Sequence, residues 1–125
     1  MKRVTMLWLA AAIAVPILGL SQSGVKGKST SISGWVIDSS CAYTKGLDKP
    51  ISAGCATACA KNGSPLVILS DDGSIFLPVD SKTPASSQNT RLLPFAGQHV
   101  KISGTEYVRG GSHAIVIASI ASDHR

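Results

Sequence analysis

Aromatic residues make up only 5% of this 125-residue chain and charged residues only 15%. So little charge beside 44% hydrophobic residues excludes a disordered polyelectrolyte. The twelve Lys and Arg are scattered rather than blocked, which excludes a basic tail that grips nucleic acid. Catalytic signatures are missing too. There is no Gly-x-Ser-x-Gly elbow, no His-Glu-x-x-His and no glycine-rich phosphate loop, so the chain reads as non-enzymatic. No repeat of solenoid length is present. What remains is a single small apolar domain, and the length suits one.

The first residues explain part of the composition. Met1-Lys2-Arg3 is a short positive start, followed by the apolar run Val4 to Leu20 and then Ser21-Gln22-Ser23-Gly24. These are the three parts of a secretory signal, so residues 1–23 are expected to be a signal peptide cut near Ser21 to Ser23. No Cys follows the run, which argues against lipoprotein processing. The alternative is an uncleaved anchor at residues 4–20. As a helix it reaches about 25 Å, short of a hydrocarbon core of roughly 30 Å. Either way the remainder is expected outside the cytoplasm, secreted or periplasmic, with that segment as its one route to a membrane. Without Lys2 and Arg3 the formal charge of +5 falls by two, to +3. Residues 24–31 then read as a polar linker, residues 32–121 as the folded domain and residues 122–125 as a disordered tail.

Within the domain, Ile32 to Asp38 reads as a first strand, with Gly34 permitting a bend. Tyr43 to Ile51 holds Gly46, Asp48 and Pro50 and reads as a loop. Ser52 offers an N-cap to an alanine-rich helix, Ala53 to Lys61, which Asn62-Gly63 ends. A helix so short cannot stand alone in water and must lean on a sheet. Leu66 to Leu69 and Ile75 to Val79 flank Asp72-Gly73, a strong hairpin signal. Ser81 to Thr90 is loop-like, and Arg91 to Gly97 forms a turn with Leu92, Leu93 and Phe95 inward. His99 to Tyr107 and Ala114 to Ile120 make a second hairpin around Gly110-Gly111. The latter, nearly all apolar, is expected to be buried on both faces or to run through a barrel wall. Five short strands in an open sheet would leave two bare edges. The expected fold is therefore mainly β: a five-stranded, partly open OB-like barrel with one short helix between strands 1 and 2.

The run Gly34-Trp35-Val36-Ile37-Asp38-Ser39-Ser40-Cys41, the helix Cys55-Ala56-Thr57-Ala58-Cys59 and the closing Gly97-Gln98-His99-Val100-Lys101-Ile102-Ser103-Gly104-Thr105 resemble a group of small exported bacterial domains. The resemblance covers residues 32 to 120 and implies an OB-like barrel with no agreed biochemical role. Relatives carry Cys-Gly-x-x-His after the first strand. Here Cys41 is followed by Ala42-Tyr43-Thr44-Lys45, which weakens a metal site carried over from the group.

Cys41, Cys55 and Cys59 hold the clearest claim to special chemistry. Outside the cytoplasm disulfide pairing is the default. Cys55 and Cys59 share a helical face but are poorly placed for the Cβ separation of about 3.8 Å that a bridge needs. Cys41 is thus expected to pair with one of them, and loop entropy, differing by about 0.2 kcal/mol, does not choose which. The cysteine left over is a buried side chain, an exchangeable thiol or an intermolecular partner. Alternatively all three are thiolates of a copper or zinc site, with His99 or His113 as a fourth ligand. Both histidines open strands and are expected to face solvent. Asp71 and Asp72 read as turn chemistry, and Asp38 as the cap of the turn that follows it.

Two functions follow. The first is a non-catalytic exported domain, without cofactor, that binds an unidentified envelope component or protein or plays a structural role there. The second is a thiol-based metal or redox protein. Beyond residue 23 the aromatics are only Trp35, Tyr43, Phe76, Phe95 and Tyr107, too few platforms to favour nucleic acid.

Overall fold

The computed structural model describes residues 24–47 and 51–124. The expected leader, and residues 48–50 of the expected loop, lie outside the described residues. Among those described, no helix is long and apolar enough to cross a membrane.

Strand β1 spans Lys28–Asp38 and is followed by helices α1, Ser39–Thr44, and α2, Ala53–Lys61. Strands β2, Leu66–Ser70, and β3, Ile75–Pro78, form the first hairpin. After a loop come the short helix α3, Asn89–Leu92, and a 3₁₀ turn, Leu93–Phe95. Strands β4, His99–Arg109, and β5, Ser112–Ser122, close the chain. The strands form a closed barrel in the order β1-β2-β3-β5-β4, with β4 pairing back onto β1. All neighbours are antiparallel except β3 and β5, which run parallel through the pairs Phe76–His113 to Pro78–Ile115. The ring closes where a partly open barrel was expected, so each of the five strands has a neighbour on both sides for part of its length.

Closure depends on β1 serving two partners. Its first part, Lys28 to Trp35, pairs with β4, and its last part, Gly34 to Asp38, with β2. Gly34 stands where both ladders meet. A Cβ there would lie 2.3 Å from the Leu69 carbonyl oxygen, so the strands approach this closely only at glycine. The strand begins four residues before its apolar part, because Lys28 to Ser31, read as linker, still find ladder partners on β4. A register shift at Ser103/Gly104 adds the curvature expected near Gly104.

Val36, Leu66, Ile68, Phe76, Val100, Ile102, Ile115 and Ile117 fill the barrel, joined by Leu92 from α3 and Ala60 from α2. The final strand is not buried on both faces. Ile115 and Ile117 are buried while Ala118 and Ser119 are exposed, because one face of the barrel wall meets water. The expected tail is also tied down in part: the Asp123 N–H donates to the His99 carbonyl at 2.8 Å.

The turns follow their chemistry. Gly73 has φ 89°, and Gly110 and Gly111 have φ 56° and 78°, the paired positive values of a two-residue type I′ turn. The loop before α3 is anchored by residues that polarity alone did not single out. Asn89 Oδ1 accepts from the Leu66 N–H at 2.8 Å while Nδ2 donates to the Ser64 carbonyl at 2.8 Å. Arg91 donates to the Ile117 and Ala118 carbonyls at 2.7 and 3.0 Å.

Candidate functional site

The connection between β1 and β2 carries the chemistry. At the end of β1, Asp38 takes an extended conformation and its Oδ1 accepts from the Cys41 N–H at 3.1 Å, the expected cap. This cap starts α1, a six-residue helix that the sequence did not reveal, so two helices rather than one separate the first strands. α2 matches its expected bounds. Ser52 Oγ accepts from the Cys55 N–H at 3.2 Å, and past Asn62 the chain turns through Gly63 at φ 94°.

α2 docks through Ala56 and Ala60, one turn apart and both buried. Gly97 makes that docking possible. Its φ is 76°, and a Cβ there would sit 2.3 Å from the Ala53 Cα. The helix presents Cys59 half-buried and Cys55 exposed, the latter beside the half-buried Cys41 of α1.

Cys41 and Cys59 stand beside Asp38, a carboxylate with no exposed surface. Its Oδ1 accepts from the Cys41 N–H and weakly from Ser64 Oγ at 3.5 Å, and the carboxylate also meets the Cys41 and Cys59 thiols. The Cys41 thiol is pushed up to about 11, first by hydrogen bonding to the Asp38 carboxylate, then by burial and by that group's negative charge. Cys59 is raised mainly by desolvation and then by Asp38. Cys55 interacts with both Cys41 and Cys59. All three are free thiols. No two of these sulfurs lie at disulfide distance, so the expected bridge from Cys41 to a helix cysteine is not formed in this structure.

Beside the cluster lies a cleft of about 210 Å³, lined by Ile37, Leu47, Ile51 and Ala56 on its apolar side and by Asp38, Cys41, Ser52 and Cys55 on its polar side.

The histidines stand elsewhere. His99, expected to face solvent, is buried against the edge of the Trp35 ring at 5.3 Å between centroids. Its Nε2 lies 2.8 Å from Asp71 Oδ1 and its Nδ1 3.2 Å from Asp123 Oδ2, the latter off hydrogen-bonding alignment. Asp71 therefore does more than shape a turn. His113, half-buried rather than solvent-facing, lies 2.7 Å from Glu106 and sets its ring at a tilt against Phe76, 5.1 Å between centroids. Neither histidine joins the thiols as a fourth ligand. Among the described residues, no three His, Cys, Asp or Glu side chains are already disposed to hold a metal ion.

Fold and site together define a small, closed, OB-like β-barrel with a thiol–carboxylate cluster in its first connection. Comparison with protein-family models, with curated proteins and with solved structures gives no match.

Proposed function

We propose that this chain is an exported, non-catalytic barrel domain of the cell envelope that binds a partner through the cleft between β1, α1 and α2. The observation that carries the reading is the cleft itself. At about 210 Å³ it is smaller than the roughly 300–1,000 Å³ of sites that enclose small molecules. It suits one apolar side chain of a partner protein, received by Ile37, Leu47, Ile51 and Ala56, with Asp38 and Ser52 available to a backbone beside it. The positive start and apolar run of residues 1–20 support export, and the resemblance to small exported bacterial domains agrees. Non-catalytic action fits Cys41 and Cys59, both kept protonated by their surroundings and so poor nucleophiles at neutral pH.

Gly46 lines the cleft and a Cβ there would meet nothing within 4 Å, so Gly46→Trp can block the mouth without disturbing the barrel. A defined envelope protein that co-purifies in fixed ratio with the wild type and is lost with Gly46→Trp is the expected result. A chain recovered from the envelope fraction without a stoichiometric partner, or with one that Gly46→Trp retains, overturns the reading.

A further inference from the structure

The first half of β1 has a bare edge. Along a strand the backbone groups of successive residues point to alternate sides. Val36 turns towards the start of β4: its N–H donates to the Gln98 carbonyl at 3.0 Å and its carbonyl accepts from the Gly97 N–H at 2.8 Å. Ser33 turns the other way, and its carbonyl accepts from the Asp71 N–H at 3.0 Å. Pairing with β4 runs unbroken from Trp35 back to Lys28, so Ser31 and Ser29 also point away from β4. No strand runs beside them there, because the β2 ladder ends at Gly34–Ser70 and the hairpin turns off after Asp71. Among the described residues nothing bonds the N–H or C=O of Ser29 and Ser31 on that side, and both residues are exposed. Gly27 carries the line one step further, so close to Thr105 and Tyr107 that a Cβ would not fit.

The matching edge of β5 is covered. β5 outruns β3 beyond Ile115, but there the Arg91 guanidinium takes the Ile117 and Ala118 carbonyls. Edges are commonly guarded by charge, proline or a bulge, yet residues 29–33 read Ser-Thr-Ser-Ile-Ser.

We propose that this edge pairs antiparallel with the same edge of a second copy of the chain, joining two barrels through β1. Two-fold symmetry and the alternation of the backbone groups set Ser29 opposite Ser29 of the second copy. Each Ser31 then faces Gly27 of the other chain, and each Ile32 faces Lys26. Registers centred nearer Ser31 drive the incoming chain onto Asp71, which already holds Ser33.

Charge selects a second copy as the occupant. A groove of about 240 Å³ flanks the free edge, between residues 31–33 and residues 70–72, and its lining holds Asp71 and Asp72 but no cation. Asp71 is fixed by His99, and Asp72 by the Ser70 hydroxyl and the Ser74 N–H, so both carboxylates are held beside the edge. The complement lies on the chain itself. Lys26 and Lys28 are exposed at the end of the edge that reaches the other copy's groove, and symmetry makes the match twice. None of residues 26–33 lines the cleft of the proposed function, so the inference does not rest on it.

The test is sedimentation equilibrium of the full chain as isolated. Reductant and a density-matched non-ionic detergent keep thiol bridges and the apolar run at residues 4–20 from setting the result. Expected is a reversible monomer–dimer equilibrium that weakens severalfold from low to high salt. Carbodiimide treatment of mixed light- and heavy-isotope chains should join Lys26 or Lys28 of one to Asp71 or Asp72 of the other. Amide exchange at Ser29 and Ser31 should slow as the dimer forms. Ser31→Pro removes a donor that points away from β4, so it should weaken the dimer about tenfold or more while the barrel persists. Lys26→Glu lies outside every strand and should weaken it about tenfold by setting like charges together. A chain that stays monomeric at the highest concentration reached overturns the proposal. So does a dimer that either variant leaves unchanged, or a different protein found paired along β1. Gly46→Trp leaves residues 26–33 untouched, so loss of the dimer and loss of the cleft's partner are scored separately.

Discussion

His99 Nε2 and Asp71 Oδ1 form a hydrogen bond of 2.8 Å that ties the start of β4 to the tip of the β2–β3 hairpin. The two residues are far apart in the chain and meet because β1 carries β2 on one side and β4 on the other, with Trp35 opposite His99. His99→Ala removes this link, the contact to Asp123 and the edge of the Trp35 stack. It should lower the unfolding free energy by about 1–3 kcal/mol. Asp71→Asn, at the exposed end of the pair, should cost less than about 1 kcal/mol. Urea unfolding of both variants measures the ratio, and equal costs would show that the Asp71 contact alone holds His99, with nothing contributed by Trp35 or Asp123.

The thiol of Cys41 should betray its surroundings in its reactivity. With its pKa moved from 9.0 to about 11, the thiolate fraction near pH 8 falls about 100-fold. In a Cys55→Ser, Cys59→Ser background, metal-free alkylation should be slow at neutral pH and climb until about pH 11. Asp38→Asn should move that midpoint down towards the ordinary value. The folded chain holds this proton more tightly than the unfolded one. The associated stability is therefore complete below about pH 9 and is lost as pH rises through about 11. A rate profile centred at the ordinary thiol value would contradict the Asp38 hydrogen bond.

Acid should act through two other carboxylates. Asp72 is held below the usual range, first by the Ser70 hydroxyl and then by the Ser74 N–H, and Asp80 by the backbone N–H groups of Lys82 and Ser86. A depressed carboxyl stabilises the fold above its unfolded pKa, and that contribution disappears as pH falls through the folded value. Thermal melts from about pH 5 down to about pH 2 should show a falling midpoint, and Asp72→Asn with Asp80→Asn should flatten it.

Two glycines of the α2 region should respond in opposite directions. Gly97→Ala forces a side chain into positive φ and onto Ala53, so it should destabilise by at least about 1–3 kcal/mol. Gly54→Ala, in α2 with open space around its Cβ, should stabilise by about 0.4–1 kcal/mol. Denaturant midpoints of the pair decide it. A tolerated Gly97→Ala would mean that α2 does not dock tightly on the turn before β4.

Local signals were legible in the sequence where the physics is local. Ser52, the alanine run and Asn62-Gly63 gave α2 its correct ends, and Asp38 was readable as a cap because a carboxylate before Ser-Ser-Cys has few other uses. α1 was not readable, since six residues carry no periodicity. His99 was misjudged because a histidine at a strand start among polar neighbours looks exposed. Its burial comes from Trp35, Asp71 and Asp123, which only barrel closure assembles. The cysteines were recognised as a set, but the carboxylate beside Cys41 and Cys59 was assigned only its backbone role. Asn89 and Arg91 were hidden for a similar reason: their partners, Leu66 and Ile117, lie more than twenty residues away.

The parallel pairing of β3 with β5 sets an order of events for a chain delivered N-terminus first. Until its last strand arrives, Phe76 to Pro78 lack one neighbour and β4 lacks another. Everything upstream waits in an unfinished state, open to proteases and chaperones, with its sulfurs accessible to whatever ions or oxidants surround it. Truncating the chain before Ser112 should therefore yield no smaller stable product, only a species that is cleared.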